Sequence, residues 1–222
     1  MRRLGLLIPS SNVVLEPLAA RQGKLQIHIN RLGVLDVKLD DASRSQFALD
    51  AQVAAATLLQ DAKVDGIAWG GTSASWLGIE HDEAFVSRVQ SETGLPATTS
   101  VLRINRRLRE LGIRKLGMVT PYTQDVAERI NRTYRDLGFH IGGWRHDGGE
   151  MSNDFAAIPP ARIEAMIRDV AEQDVEAIVV MCTNVAASRI AADLSVDLGR
   201  PVIDSAAETL NLASDFWLPP GS

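Results

Sequence analysis

An α/β fold with two similar lobes is predicted by two observations. Short apolar runs alternate with amphipathic helical patterns along the 222 residues, which is typical of parallel sheets whose strands are joined by right-handed helical crossovers. The chain also repeats itself, because residues 4–10 are similar to 116–122 and residues 67–73 are similar to 178–184. The copies are offset by about 110 residues, far more than the roughly 20–50 residues of a solenoid repeat, so they indicate two lobes.

Eight strands are predicted, four in each lobe. Most are short and rich in Val, Ile and Leu, as parallel strands buried on both faces are. They lie at about residues 3–8, 26–34, 65–70, 97–100, 115–120, 139–145, 176–181 and 201–204.

Amphipathic helices are predicted between the strands. Apolar residues three or four apart, or adjacent, define one face of a helix, and such patterns cover residues 43–63, 101–111, 125–137, 160–173 and 186–198. Gly112, Gly138 and Gly199 follow three of these helices, as C-cap residues do. The elements fit two pseudo-symmetric flavodoxin-like lobes, each a four-stranded parallel sheet flanked by helices, with an active site between the lobes.

The chain is divided between the lobes as follows. Residues 1–100 are assigned to the first lobe and residues 101–204 to the second. The final segment is expected to pack back on the first lobe, so residues 205–222 are added to it.

Composition restricts the class of partner. The net charge of −5 argues against nucleic acid, because no stripe of Lys and Arg is available to displace counterions. The sequence contains neither a membrane span nor a signal-peptide pattern, and one cysteine forms no internal disulfide, so a cytoplasmic location is expected. No metal site and no cofactor are expected, since the four histidines lack ligand spacing and no nucleotide-binding glycine motif is present. The sequence favours neither a monomer nor a homo-oligomer.

The candidate site lies just after the strands, because ligands of such sheets bind beyond the carboxyl ends of the strands. Residues 9–12, 71–73, 121–123 and 182–184 are small or hydrogen-bonding, and none is charged. Hydroxyls, amides and helix N-termini of this kind suit a carboxylate ligand. In the repeat, Gly71 stands where Cys182, the single cysteine, stands in the second copy. Two facing half-sites of this kind would form an acid/base site with one proton donor.

These segments resemble the aspartate/glutamate racemase superfamily, in particular its branch of arylmalonate decarboxylases and maleate cis–trans isomerases, over nearly the whole chain. The opening Gly5-Leu6-Leu7-Ile8-Pro9-Ser10-Ser11-Asn12 is similar to that of the isomerases. The segment Thr120-Pro121-Tyr122 resembles the tyrosine loop of the branch. Gly71-Thr72-Ser73 resembles the Gly-Thr-Ser segment of the decarboxylases, whereas the isomerases have cysteine at its first position.

The resemblance implies a role for individual residues. Hydroxyls matching those of Thr72, Ser73 and Tyr122 hold a carboxylate in the decarboxylases, and the cysteine matching Cys182 protonates the enediolate left after CO₂ departs. With Gly71 opposite, one face of that intermediate receives the proton, and the product should be one enantiomer. The remaining predicted substrate contacts are Pro9, Ser10, Asn12, Asn153 and Thr183.

The thiol suits proton donation for a chemical reason. Its ordinary pKa of about 8.5 leaves it mostly protonated at neutral pH. The N-terminus of the following helix is expected to lower the pKa of Cys182.

Structural roles compete with these functional ones. A lone cysteine such as Cys182 is often a small buried hydrophobe, and Asn12 could also cap the first helix. Residues 81–83 form a polar cluster that is interpreted as a solvated helix start. Asp204 and Glu208 are interpreted as charges at a helix N-terminus.

Three functions are compatible with this sequence. The first is a cofactor-independent decarboxylase of a malonate-type dicarboxylic acid. The second is a maleate isomerase-like enzyme, or another isomerase of the superfamily, although the isomerases use two cysteines, one of them a nucleophile. The third is a non-catalytic protein that binds a small dicarboxylate.

Overall fold

Eight parallel strands form two sheets of four in the computed structural model, which describes residues 1–21, 23 and 25–211. The first sheet has the order β2-β1-β3-β4, and the second has the order β6-β5-β7-β8. The strands of the first sheet are β1 (Arg2–Pro9), β2 (Leu25–Leu32), β3 (Gly66–Trp69) and β4 (Ala97–Thr99). Those of the second are β5 (Lys115–Tyr122), β6 (His140–Gly149), β7 (Ala177–Val180) and β8 (Val202–Asp204). The two sheets have the same strand order, which confirms the predicted fold.

Helices flank both sheets. Along the described chain they are α1 (Leu15–Ala19), α2 (Asp41–Ser45), α3 (Leu49–Thr57), α4 (Ala74–Leu77), α5 (Ile79–Thr93), α6 (Ser100–Glu110), α7 (Gln124–Asp136), α8 (Pro160–Ala171), α9 (Ser188–Asp197) and α10 (Ser205–Leu210). Two 3-10 helices span Leu58–Ala62 and Ser152–Ala157. The predicted C-cap glycines after α6, α7 and α9 have positive φ angles of 67°, 92° and 61°. No helix in the described part of the chain is long and apolar enough to cross a membrane.

The single helix predicted over residues 43–63 is wrong. The chain is instead divided into α2, α3 and a 3-10 turn, with a break around Phe47 and Ala48. The side chain of Phe47 is buried and meets the ring of Trp76 edge to face, with 5.3 Å between ring centroids. Its carbonyl oxygen lies 2.9 Å from Nε2 of His81 instead of continuing the helix. A tertiary contact therefore overrides the apolar periodicity.

The last described helix packs on the first sheet. Ala206 and Leu210 of α10 join a cluster with residues of β1 and α1, including Leu4, Leu6 and Leu15. Residues 212–222 of the predicted first lobe lie outside the described residues.

Equivalent backbone hydrogen bonds align the site in each lobe. The N–H of Gly70 donates to the carbonyl of Leu7 (2.7 Å), and the N–H of Met181 donates to the carbonyl of Val119 (2.9 Å). Each bond joins the residue after a third strand to the first strand of the same sheet. The loops that follow β1, β3, β5 and β7 are thereby brought together.

Candidate active site

A small buried cavity lies among these four loops. Its volume is about 30 Å³, counted as the space open to the centre of a water-sized sphere. The predicted site residues that line it are Pro9, Asn12, Gly71, Thr72, Ser73, Tyr122, Cys182 and Thr183. Both halves of the repeat thus contribute to one cavity.

Cys182 is buried beside the phenol of Tyr122. Its side chain is 5 % exposed, and its Sγ accepts a hydrogen bond from the backbone N–H of Asn184 (3.4 Å). Burial raises the pKa of the Cys182 thiol to about 11, and the nearby Asp204 carboxylate raises it further, against hydrogen bonds from Tyr122 and the backbone that lower it. The thiol is consequently protonated at neutral pH.

The expectation that a helix N-terminus lowers the pKa of this thiol is wrong. Helix α9 begins at Ser188, six residues beyond Cys182 in the chain, and the net shift of the Cys182 pKa is upward. Desolvation, which disfavours a thiolate, is the larger effect.

Tyr122 connects the two half-sites. Its hydroxyl lies 3.1 Å from Thr72 Oγ1, and its ring meets that of Phe155 edge to face at 5.3 Å between centroids. Burial and the neighbouring Cys182 raise the pKa of Tyr122 well above its usual range. The phenol therefore stays neutral and is available as a hydrogen-bond donor.

Asn12 and Thr183 form the counterpart of that contact. Asn12 Nδ2 donates to Thr183 Oγ1 (3.1 Å), and the Thr183 hydroxyl donates to the carbonyl of Gly70 (2.9 Å). Asn12 Oδ1 also accepts the backbone N–H groups of Val14 and Leu15, each at 3.0 Å. Asn12 thus holds the backbone at the start of α1 and also lines the cavity.

Asn184, which belongs to the predicted segment 182–184 but was given no role of its own, holds three loops together. Its Oδ1 accepts the N–H of Val13 (2.9 Å), and its Nδ2 donates to the carbonyls of Ser11 (3.3 Å) and Ser152 (2.5 Å). The repeat offered a signal for it, since Asn184 occupies the position of Ser73 in the first copy.

An apolar wall that the sequence did not predict closes the cavity. It consists of Val34, Val37, Phe47, Trp69, Trp76 and Phe155. The loop after β2 and the loop after β6 supply part of it, and they pair through Val37 N–H to the carbonyl of Glu150 (3.0 Å) and Ser152 N–H to the carbonyl of Leu35 (2.9 Å). The signal missed was positional, because these loops follow equivalent strands of the two sheets.

Two predicted contacts lie outside the cavity lining. The Ser10 hydroxyl donates to the carbonyl of Val34 (3.2 Å) and accepts its N–H (3.0 Å), so it fixes the loop that carries Val34. Asn153 is exposed, while its neighbour Ser152 lines the cavity.

The acidic residues outside the cavity have defined structural settings. Asp204 caps α10 through the N–H of Ala207 (2.8 Å), as expected, and accepts the Ser188 hydroxyl (2.6 Å). The solvated interpretation of residues 81–83 is wrong for Asp82, which is fully buried and accepts the hydroxyl of Thr99. Burial raises the pKa of Asp82 to about 7.

Among the described residues, no group of three or more His, Cys, Asp or Glu side chains could hold a metal ion.

Comparison with known proteins identifies the family. The family model of arylmalonate decarboxylase matches residues 4–213, and the chain therefore belongs to the arylmalonate decarboxylase family. This confirms the resemblance found in the sequence.

Individual relatives include both enzymes of the branch. A maleate isomerase of Pseudomonas putida is 25% identical over 226 residues, covering 93% of this chain and 88% of that protein. An arylmalonate decarboxylase of Bordetella bronchiseptica is 27% identical over 150 residues, covering 66% of this chain and 60% of that protein. A solved double mutant of arylmalonate decarboxylase in liganded form has a TM-score of 0.87 at 22% identity, covering 100% of this chain and 94% of that one. That likeness supports the fold.

Proposed function

We propose that this protein is a cofactor-free decarboxylase of a malonate-type dicarboxylic acid. The observation that carries the proposal is the pairing of one protonated, buried thiol, that of Cys182, with a glycine at the equivalent position of the other half-site. Such a cavity contains one proton donor and no second thiol. Membership of a family that includes decarboxylases supports carboxylate chemistry.

Neutral donors are suited to holding the carboxylate that the product retains. Thr72, Ser73 and Tyr122, which carry hydroxyls, line the same cavity as Cys182. When CO₂ leaves, negative charge moves onto the retained carboxylate, and preorganised donors in a site that excludes water stabilise that charge. The apolar wall receives the departing carboxylate, where desolvation disfavours its charged form.

The chemistry balances with solvent as the final proton source. The bond between the α-carbon and the leaving carboxylate breaks, and its electron pair forms an enediolate with the retained carboxylate. The S–H proton of Cys182 then passes to the α-carbon, and the resulting thiolate recovers a proton from water. A thiol pKa of about 11 keeps the proton on sulfur until the strongly basic enediolate forms.

A maleate isomerase-like function is the second candidate, favoured by the Asn12 opening and the isomerase relative. Two observations weaken it. Its resemblance implies a nucleophilic thiolate at the position of Gly71, and the pKa of the one remaining thiol is raised, which reduces the thiolate fraction. The third candidate, a dicarboxylate-binding protein, requires binding without turnover.

The test is CO₂ release from a panel of α-aryl and α-alkyl malonates, with maleate followed for conversion to fumarate. Wild type is compared with Cys182→Ala and Cys182→Ser, and with Met181→Leu as a matched control at the neighbouring buried residue. CO₂ release that falls about 10²–10⁴-fold in both cysteine variants, the usual contribution of a general acid, supports the proposal. Fumarate without CO₂ supports the isomerase, and saturable malonate binding without either product supports the binding protein.

Location and partners are part of the same proposal. The lone buried cysteine fits a reducing cytoplasm, and the uncharged donors fit a small dicarboxylate as ligand. Fractionation of the producing cells tests the location.

A further inference from the structure

The space in front of Gly71 is filled by the indole ring of Trp69. A Cβ built on Gly71 would lie 2.4 Å from Cζ2, 2.5 Å from Cε2 and 2.9 Å from Nε1 of that ring. Real Cβ atoms essentially never approach another heavy atom within 3.0 Å. Any side chain at residue 71 therefore requires the indole to move.

The indole has little freedom to move. Trp69 is fully buried, and its Nε1–H donates to Ser73 Oγ (3.2 Å). The backbone carbonyl of Trp69 accepts the hydroxyl of Ser100 (3.1 Å). In a close-packed interior, a large ring held in this way shifts only if its neighbours repack.

We propose that Trp69 is a specificity-determining residue. Its indole occupies the position of a second proton donor and thereby restricts protonation of the enediolate to one face. This inference rests on the proposed decarboxylase function. Gly71 is then necessary but not sufficient for single-face protonation, because the indole would exclude a side chain even if one were introduced there. Gly71→Cys alone should not create a second donor, whereas a smaller residue at position 69 should make room for one.

The packing half of the proposal is tested without any substrate. Gly71→Ala is measured in wild type and in a Trp69→Leu background, and Gly70→Ala serves as the control. A Cβ on Gly70 would meet the side chains of Leu15, Ile8 and Leu6 at 3.0–3.1 Å. Gly71→Ala should lower the midpoint of thermal unfolding by about 5 °C in wild type, as overpacking in a domain of this size does, and by less than about 1 °C beside Trp69→Leu. The loss from Gly70→Ala should be equal in both backgrounds.

The chemical half uses 2-methyl-2-phenylmalonate and 2-ethyl-2-methylmalonate, whose decarboxylation products are chiral. Wild type, Trp69→Leu and Gly71→Cys should each give one enantiomer, with a reduced rate for Gly71→Cys. Trp69→Leu combined with Gly71→Cys should give both enantiomers, because thiols then face the enediolate from either side.

The outcomes separate the two claims. Both enantiomers from Gly71→Cys alone, or an equal loss of stability from Gly71→Ala in both backgrounds, would overturn the role of Trp69. Absence of CO₂ release from wild type would defeat the proposed function, while the stability comparison would still decide whether the indole fills the space at residue 71.

Discussion

The hydroxyl of Tyr122, at the end of β5, lies 3.1 Å from Oγ1 of Thr72, which follows β3 of the other sheet. Its counterpart joins Asn12, after β1, to Thr183, after β7, also at 3.1 Å. Both contacts cross between the sheets, and Thr72 and Thr183 are equivalent in the repeat, whereas Tyr122 is equivalent to Ser10, two residues before Asn12. The hydrogen bonds are thus nearly symmetric, whereas the chemistry is not, because a thiol is present in one half-site and a glycine in the other.

Tyr122→Phe removes a hydroxyl that lies 3.1 Å from Thr72 Oγ1 and interacts electrostatically with the Cys182 thiol. Turnover of the best malonate should fall about 10²–10³-fold, the usual cost of losing one donor to a developing oxyanion. Tyr134→Phe is the matched control, since Tyr134 is equally buried but lies outside the cavity lining. Steady-state CO₂ release measures both, and equal losses in the two variants would argue against a role for Tyr122 in the site.

The Cys182 thiol should titrate far above neutrality. Because its pKa is raised to about 11, mainly by burial, turnover that depends on the protonated thiol should be constant from about pH 6 to about pH 9 and fall only as the pH approaches that value. Alkylation by iodoacetamide at about pH 8 should be much slower than that of a free cysteine, since the thiolate is the reactive form. A thiolate absorbance that appears below about pH 9 would contradict this.

Asp204→Asn isolates one cause of that shift. The negative charge of Asp204 disfavours the Cys182 thiolate, so its removal should lower the thiol pKa and speed alkylation at fixed pH. Asn retains an oxygen that can accept from Ser188 and from the N–H of Ala207. Asp193→Asn, an exposed carboxylate on α9, should leave the alkylation rate unchanged. No change in Asp204→Asn would show that burial alone raises the pKa.

Local sequence patterns predicted the two-lobe repeat and the alternation of strands and helices. The eight strands followed from apolar runs, and Cys182, Gly71, Thr72 and Tyr122 met in one cavity because parallel strands end at the same edge of a sheet. The break at Phe47 could not be predicted, because it depends on contacts with Trp76 and His81, which are distant in sequence.

The apolar wall and the burial of Asp82 were missed for a related reason. Both depend on how loops and helices pack against each other, and this packing leaves no periodic pattern in the sequence. The sequence predicts Asp82 to be a solvated residue at a helix start, whereas its side chain is fully buried and accepts the hydroxyl of Thr99. The direction of the Cys182 pKa shift was likewise set by burial, which sequence position does not reveal.

Asn184→Ala should weaken the folded structure and substrate binding more than it lowers turnover. The change leaves the N–H of Val13 and the carbonyls of Ser11 and Ser152 without their side-chain partner. Of these contacts the one to the Ser152 carbonyl is buried, and a buried group left unsatisfied costs about 1–3 kcal/mol. We expect a lower midpoint of urea unfolding and a KM that rises more than kcat falls. Asn153→Ala, an exposed residue of the same region, is the control. A substrate-contact role for Asn153 would appear as a raised KM in that control with unchanged stability.

Asp82→Asn should be more stable than the wild-type protein at alkaline pH but not at acid pH. Burial raises the pKa of Asp82 from 3.8 to about 7, so the unfolded chain releases this proton at a lower pH than the folded one. The wild-type protein therefore loses stability from this group as the pH rises from about 4 to about 7, at about 1.4 kcal/mol per pKa unit. The neutral Asn carries no such loss. The urea midpoint of Asp82→Asn should exceed that of wild type at about pH 8 and should not exceed it at about pH 4, while the exposed Asp61→Asn should behave as wild type at both. An equal change at the two pH values would mean that folding does not raise the pKa of Asp82.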